Sequence, residues 1–496
     1  MKGVDNSGRA FPRYLLTGVL GAMFALCLYP VWDLEGRWFV IAIVGIALVS
    51  ISMVFAGRFS NFLLIVLLFC VPLAGFAKWL FLDDYSDFIK TAAPLSGALS
   101  LGLFEFLIVG LYFAWAFRIF VLREEPMPRL EKIDAPVAVL VVSSAVSLWG
   151  AAEQPLGIFS LGHLLKHAMI YFYVSRNFKR THLPWFMASI AFAILVEAII
   201  GILQYGQILP PGLMRDKGAG SDRLEQLYDV TGIEDISRAH GTTYDSHALG
   251  IYLSMLMHFA LVFLYKSALP ARMRLGSGLL LLLGFAGLVA SYSRSAWLSF
   301  AISAGFTVLV LIAWRERYAL MSTIFVVAVG LITAPWVFAK LFARLFEADS
   351  DALLGRFDQY TVAWTMWREN FLFGVGAGNY NMQLEHYNMN WAIEGPVHNV
   401  ILLIGSETGL FGVIAFYGLI TVVLYNLWRL IRLRHEPDCR FALAAFGGLL
   451  AFTLDGLTNP LFREATVYMQ FWLTVALSVA LAREAKPRPP VISHMN

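Results

Sequence analysis

The segment PWFMASIAFAILVEAIIGILQYGQ, residues 184–207, contains a single charged side chain, Glu197. A helix needs about 20 predominantly apolar residues to cross the hydrocarbon core of a bilayer, so this segment predicts a transmembrane helix. The same rule finds fourteen candidate spans, of which the fifth, sixth and thirteenth are short: about 14–30, 38–56, 61–81, 99–121, 135–151, 157–174, 184–207, 243–265, 276–292, 295–313, 319–340, 399–428, 441–457 and 464–481. We therefore expect 12 to 14 transmembrane helices.

The composition of the whole chain agrees with this pattern. Of the 496 residues, 59% are hydrophobic, 15% are aromatic and only 14% are charged, whereas soluble proteins contain about 25% charged residues. A chain so poor in charge cannot cover the surfaces of soluble domains. We predict an all-α, polytopic helical bundle in which residues 1–482 form one transmembrane domain and residues 483–496 form a tail. The first apolar segment is interpreted as a retained helix and not as a cleaved signal.

Charge balance and cysteine spacing exclude other classes of protein. Lys and Arg total 37 against 34 Asp and Glu, and this net charge of +3 gives no reason to expect nucleic acid as a partner. The three cysteines, Cys27, Cys70 and Cys439, lie in or beside apolar segments without CxxC or CxxH spacing. We therefore predict neither a disulfide framework nor a structural metal site.

The distribution of Lys and Arg between the spans predicts the orientation. Cytoplasmic loops keep these residues in excess. If the N-terminus is cytoplasmic, 22 of the 37 basic residues fall in inner segments. Both termini are therefore predicted to be cytoplasmic. Two long outer segments result, about 208–242 and 341–398, and long connections often carry function.

Three basic side chains stand at ends of apolar segments on the predicted outer face. Arg238 precedes the eighth span, Arg294 joins two spans that have almost no connection between them, and His398 precedes the twelfth span. Each has a plain structural alternative, because an arginine at a helix end is often an interfacial anchor and a histidine there is often a cap or a packed surface group. If these three side chains lie close together in the fold, they form one layer at the outer boundary of the membrane.

Together these side chains suit a phosphorylated substrate. The planar guanidinium group matches phosphate oxygens and stays charged, so two arginines facing one cleft suit a diphosphate. A histidine near a helix N-terminus and flanked by arginines is kept neutral, and a neutral imidazole accepts a proton near pH 7. This combination indicates a transferase that activates a hydroxyl group and holds a phosphorylated leaving group.

Other motifs carry weaker signals. His163, Lys166 and His167 lie on one face of the sixth span, and we favour an interior polar pairing with Glu105 or Glu197 over a metal site. The run GVGAGNY, residues 374–380, follows an aromatic helical stretch and not a strand, so a nucleotide-binding loop is rejected. Tyrosines and tryptophans in the second outer segment suit membrane anchoring and sugar stacking equally well.

Four stretches resemble the O-antigen ligase and polymerase superfamily, which includes WaaL ligases and Wzy polymerases. They are RAHGTTYDSHALGIYL at 238–253, SYSRSAWLSF at 291–300, GRFDQYTVAWTMWRENFLFGVGAGNY at 355–380 and HNVILLIGSETGLFG at 398–412. The resemblance implies that a glycan is taken from an undecaprenyl diphosphate carrier on the periplasmic side of the bacterial inner membrane. It also implies that Arg238 and Arg294 bind the diphosphate, that Arg356 assists, and that His398 is the catalytic base.

The resemblance leaves three functions open. A ligase transfers the glycan to a lipid A core hydroxyl in lipopolysaccharide biosynthesis, by an inverting reaction that needs neither metal nor cofactor. A Wzy-type polymerase uses the same donor on the same scaffold. A transporter of the lipid-linked glycan is a further alternative, for which the intramembrane group His163, Lys166 and His167 is the better clue. We expect the ligase, with the donor, the lipid A core and membrane lipids as its partners.

Overall fold

The computed structural model describes residues 56–75, 77–80, 99–209, 238–243, 245–266, 268–316, 350–387, 396–434 and 437–484. Two compact units are distinguished, and the smaller comprises Met1–Cys70, Ala77–Trp79 and Ser100–Leu130. In this unit helix α1 (Ala56–Phe69) packs against α2 (Leu103–Ala116), which continues as a π-helical turn, Phe117–Val121. Two four-residue strands, β1 (Ala77–Leu80) and β2 (Leu99–Gly102), pair with each other.

The larger unit is built from helices. They are α3 (Asp134–Ser147), α4 (Gln154–Asn177), α5 (Leu183–Tyr205), α6 (Ser246–Leu264), α7 (Ala271–Ala290), α8 (Arg294–Ala313), α9 (Ser350–Glu369), α10 (Tyr380–Gln383), α11 (Val400–Leu433), α12 (Asp438–Asp455) and α13 (Ala465–Glu484). The predicted second outer segment thus carries α9, α10 and a 3-10 turn, Leu384–Tyr387.

Seven helical stretches within the described residues are long and apolar enough to cross a membrane: Leu103–Val121, Arg180–Tyr205, Ser246–Leu264, Ala271–Ala290, Arg294–Ala313, Val400–Leu433 and Ala465–Glu484. The candidate spans at 14–30 and 319–340, and nearly all of 38–56, lie outside the described residues. The first long outer segment, 208–242, is described only at its two ends. The predicted all-α, polytopic membrane fold is confirmed.

Helices α6 and α13 lie inside the bundle, and this placement determines where the polar side chains of the loops can meet. In their most apolar stretches 83% and 89% of the residues are buried, against 22% in α7. Helix α6 contacts α5, α7, α8 and α12. Its sequence, SHALGIYLSMLMHFALVFL, is apolar on all sides, which is typical of a buried helix. Loops that lead into α6 and its neighbours therefore meet around its first turn.

Small residues bring the first turns of α6 and α8 into close contact. A methyl group built on Gly250 would lie 2.8 Å from the Cβ atom of Ala296 and 3.0 Å from that of Ser293. Helix packing in membranes depends on such small side chains, because they let backbones approach closely. The hairpin that joins α7 to α8 is consequently held against the first turn of α6.

Helix α11 is interrupted where the glycine-rich segment crosses it. Gly409 has φ +69° and ψ −165° inside the helix. Next to this break, the carbonyl oxygens of Ser406 and Glu407 accept hydrogen bonds from the backbone N–H groups of Val375 (2.8 Å) and Gly376 (3.0 Å). The backbone groups that the break releases from the helix are thus satisfied by the crossing segment.

The glycines of GVGAGNY serve this crossing. Gly374, Gly376 and Gly378 have φ values of +69°, +108° and +73°, which side chains disfavour. A methyl group on Gly374 would overlap the backbone carbonyl of Glu407. The run therefore fits a contact between two backbones, in agreement with the rejection of a nucleotide-binding loop.

Candidate active site

Two polar side chains of α5 hold the loop that carries Arg238. Gln204 accepts hydrogen bonds through Oε1 from the N–H groups of His240 (2.9 Å) and Gly241 (2.8 Å), and its Nε2 donates to the Gly241 carbonyl oxygen (3.1 Å). Two turns earlier, Glu197 accepts a 2.8 Å bond from Thr242 N and a short one from the Thr242 hydroxyl group. The loop is therefore fixed to the end of α5.

The same loop is tied to the next predicted site residue along the chain. The N–H group of Ala239, next to Arg238, donates to the carbonyl oxygen of Ala290 at 3.1 Å. Ala290 is the last residue of α7, and Arg294 begins α8 four residues later. Arg238 and Arg294 consequently lie in two loops that hydrogen-bond to each other. Both side chains are partly buried.

Capping residues define the starts of α6 and α8 and join them. Asp245 caps α6 by accepting a hydrogen bond from His247 N (2.7 Å), and Ser293 caps α8 by accepting one from Ala296 N (3.4 Å). The Nδ1 atom of His247 lies 3.0 Å from the Ser293 hydroxyl oxygen. The first turn of α6 therefore contacts the turn that carries Arg294.

His398 is fixed between α9 and the start of α11. Its ring Nδ1 lies 2.8 Å from the Gln359 side-chain oxygen, and its carbonyl oxygen accepts a 3.0 Å hydrogen bond from the Tyr360 hydroxyl group. On the other side, Asn399 caps α11, and Val400 N donates to the carbonyl oxygen of Gly456 at 2.8 Å. Backbone and ring are thus held independently.

The contact with Gln359 selects one form of the His398 ring. An amide oxygen can only accept a hydrogen bond, so Nδ1 carries the proton and Nε2 presents a lone pair. Burial lowers the pKa of His398 to about 4, and the positive charges of Arg356 and His247 act in the same direction. The negative charge of Asp245 acts in the opposite direction and is weaker. At pH 7 the imidazole is neutral. The sequence predicted a neutral ring from the helix N-terminus and flanking arginines, whereas burial is the larger cause.

The predicted site residues fall into two groups. Arg356 faces His398 closely enough for its charge to lower the histidine pKa. Arg238 and Arg294 lie in the connected loops before α6 and α8; His247 contacts the second loop at Ser293, and its charge also lowers the pKa of His398. Convergence of all four side chains on one substrate stays a prediction.

Three residues of this region were not singled out from the sequence: Gln359, His247 and Asp245. Gln359 lies three residues after Arg356 in GRFDQY, so both are on one face of α9. Asp245 and His247 form the start of α6, where an Asp followed by apolar residues is a recognisable capping signal. The capping signal was visible in the sequence, but the nearness of His247 to His398 required the tertiary structure.

In the predicted sixth span, His167 is packed within the bundle. The Nδ1 atom of His167 lies 2.7 Å from the His163 carbonyl oxygen, and its ring centroid is 4.3 Å from that of Tyr468. Glu197, one of the predicted partners, hydrogen-bonds Thr242. Among the described residues, no three His, Cys, Asp or Glu side chains are grouped as metal ligands would be.

Residues 279–417 match the family model described as O-antigen ligase. This segment of the chain is similar to the O-antigen ligase family. The match confirms the resemblance found from the motifs, and three of the four stretches lie within it: 291–300, 355–380 and 398–412. The matched segment includes Arg294, Arg356 and His398, whereas Arg238 and its stretch 238–253 lie before it. A comparison with curated proteins gives no match.

The match to the O-antigen ligase family supports a general function. Its members are ligases or polymerases of the glycosyltransferase type, so the match supports a transferase role. It also implies lipid-linked glycans as substrates and a membrane as the environment. The seven apolar helices agree with a multi-pass membrane protein.

Proposed function

We propose that the protein is an O-antigen ligase, which transfers a glycan from undecaprenyl diphosphate to a hydroxyl group of the lipid A core. The reaction completes lipopolysaccharide at the periplasmic face of the bacterial inner membrane, with both termini in the cytoplasm. The observation that carries the proposal is the oriented, neutral imidazole of His398, held by Gln359 beside the guanidinium group of Arg356. A proton acceptor near a cation is what hydroxyl attack on a glycosyl diphosphate requires.

The proposed reaction is a single displacement. The acceptor oxygen attacks the anomeric carbon while Nε2 of His398 removes the hydroxyl proton. The bond between the anomeric carbon and the diphosphate oxygen breaks, its electron pair leaves with the diphosphate, and the anomeric configuration is inverted. Arg238, Arg294 and Arg356 stabilise the negative charge that develops on the leaving group, without a metal ion.

Donor binding itself would strengthen the base. A pKa of about 4 makes free His398 a weak proton acceptor. A diphosphate in the site brings negative charge toward the imidazole and offsets the positive charge of Arg356, so it raises the pKa of His398 toward neutrality. The enzyme therefore acquires its base when the donor is bound.

The first test replaces the proposed base. We expect His398→Ala to abolish transfer by the purified protein while leaving its thermal stability near that of the wild type. His386→Ala is the matched control, because His386 is an exposed histidine in the 3-10 turn after α10. Full turnover by His398→Ala would contradict the base assignment, and loss of turnover in excess EDTA would contradict metal-independent transfer.

A competition experiment separates the ligase from the polymerase, which would use the same donor and the same side chains. Purified protein receives an undecaprenyl diphosphate-linked glycan together with two acceptors, the lipid A core and a second lipid-linked glycan. A ligase glycosylates the lipid A core, whereas a polymerase lengthens the second glycan. Movement of donor across vesicles without bond cleavage would instead support a transporter. The packing of His167 against Tyr468 favours an enzyme over a transporter, since it gives that histidine a structural role.

A further inference from the structure

Arg294 lies between two serines whose side chains contact different helices. On one side, the Ser293 hydroxyl oxygen is 3.0 Å from Nδ1 of His247 in α6. On the other side, Ser295 hydrogen-bonds the carboxyl group of Asp455, the last residue of α12. The two serine oxygens are 3.2 Å apart. The SRS sequence thus joins α6, the start of α8 and the end of α12 through one line of polar groups.

The hydrogen bonds in this line can all run in one direction, with donors on the His247 side and acceptors on the Asp455 side. In this direction Ser295 donates to the Asp455 carboxyl group, and its oxygen accepts the proton of the Ser293 hydroxyl group. The Ser293 oxygen then accepts from Ala296 N and from the Nδ1–H group of His247, which uses both of its lone pairs. Every hydroxyl proton in the line has an acceptor. Hydrogen bonds that run in one direction polarise and strengthen one another.

Burial makes this arrangement rigid. Ser293 is fully buried and Asp455 is 3% exposed. The backbone of α6 at Gly250 is packed against Ser293 and Ala296 with no room for a methyl group. Because water cannot easily replace the partners in such a site, loss of one partner leaves a buried polar group unsatisfied. The backbone on both sides of Arg294 therefore has one preferred position.

We propose that His247 and Asp455 are positioning residues that fix the direction of Arg294 toward the diphosphate of the donor. The inference rests on the proposed function, in which Arg294 binds that diphosphate. It assigns a role to both serines of the SRS sequence and to a carboxyl group that the transfer reaction does not use. An arginine whose backbone is held in advance binds a diphosphate with less loss of conformational entropy on binding.

The test measures the dissociation constant for undecaprenyl diphosphate with the full-length protein in detergent. We expect Arg294→Ala to weaken binding by about tenfold to a hundredfold, because it removes charge-assisted hydrogen bonds. We expect His247→Ala, Ser295→Ala and Asp455→Leu each to weaken binding by about threefold to tenfold, since the cation remains but its direction is no longer fixed. Thermal unfolding of each variant identifies any that are not folded.

Conservative variants separate positioning from other roles. His247→Asn keeps a donor near the place of Nδ1, and Asp455→Asn keeps an acceptor for Ser295, so both should bind nearly as tightly as the wild type. Ser254→Ala is the matched control for the loss of a buried serine hydroxyl, because the Ser254 side chain donates only to Ile251 O within its own helix.

Each result decides a different point. Weak binding by both His247→Ala and His247→Asn would overturn the positioning role, because the imidazole itself would then be required. Normal binding by His247→Ala, Ser295→Ala and Asp455→Leu beside weak binding by Arg294→Ala would overturn the positioning role and leave the proposed function standing. Normal binding by Arg294→Ala would overturn the diphosphate role of Arg294, and with it the inference.

Discussion

Replacing Gln359 with glutamate places a carboxylate at the position of the amide oxygen that lies 2.8 Å from Nδ1 of His398. The pKa of His398 is about 4 in the wild type, because the ring is buried and lies near Arg356 and His247. An opposite charge at this distance raises a histidine pKa by about 1 to 3 pH units, so we expect about 5 to 7 in the variant.

The acidic limb of the pH dependence of kcat/KM measures this change, since it reports the pKa of the base in the free enzyme. At pH 5 a pKa of about 4 leaves roughly nine-tenths of the imidazole neutral, whereas a pKa of about 6 leaves roughly one-tenth. Each kcat/KM at pH 5 is divided by the plateau value of the same protein at high pH. This ratio should therefore be about tenfold lower for Gln359→Glu than for the wild type.

Two further variants complete the experiment. Gln359→Leu removes the hydrogen bond without adding charge, so we expect kcat to fall by roughly 5- to 30-fold with the acidic limb unmoved. Gln154→Glu is the matched control, because Gln154 is an exposed glutamine at the start of α4. Coincident pH profiles for the wild type and Gln359→Glu would refute the assignment of His398 as an oriented base.

Three more predictions concern stability and the Arg238 loop. Because burial lowers the pKa of His398 from 6.5 to about 4, the unfolded chain binds the proton before the folded protein does as the pH falls. The free energy of unfolding should therefore decrease by on the order of 3 kcal/mol between pH 6.5 and 4. Over that range the thermal midpoint of His398→Asn should fall less than that of the wild type. Gly374→Ala should destabilise the protein by at least about 1–2 kcal/mol in thermal unfolding, since it forces a side chain into a left-handed conformation. Gly418→Ala is the control and should not destabilise the protein, because a methyl group on Gly418 would meet no other atom. Gln204→Leu leaves the N–H groups of the loop at Gly241 without an acceptor, so hydrogen exchange at residues 238–243 should accelerate; unchanged exchange would show that Gln204 does not hold the loop.

The fold class could be predicted from the sequence because the bilayer imposes a length rule on apolar segments. The segments at 184–207, 243–265, 276–292, 295–313 and 464–481 correspond to helices that meet the length and hydropathy criteria of a membrane span. Sequence patterns could not predict the interruption of α11 at Gly409. That break is stable only because Val375 and Gly376, more than thirty residues earlier, supply the hydrogen bonds that the helix loses.

The candidate site was predicted in part. Arg238, Arg294 and His398 were selected because each stands at the end of an apolar segment on the predicted outer face, and Arg356 came from the family resemblance. Gln359 was passed over because a glutamine on an outer helix carries no such signal. Its importance follows from one contact, between side chains 39 positions apart in the chain.

The sequence by itself determined that the chain is a multi-pass helical membrane protein and that residues 279–417 resemble the O-antigen ligase family, because hydropathy and local motifs depend only on neighbouring residues. The tertiary structure decided which side chains surround His398 and which groups hold the serines on either side of Arg294. Burial sets the pKa of that histidine and hydrogen bonds set its tautomer, and both arise from residues that meet only after the helices pack. No local pattern encodes such a meeting, since its geometry depends on the packing of α6, α8, α9, α11 and α12 together.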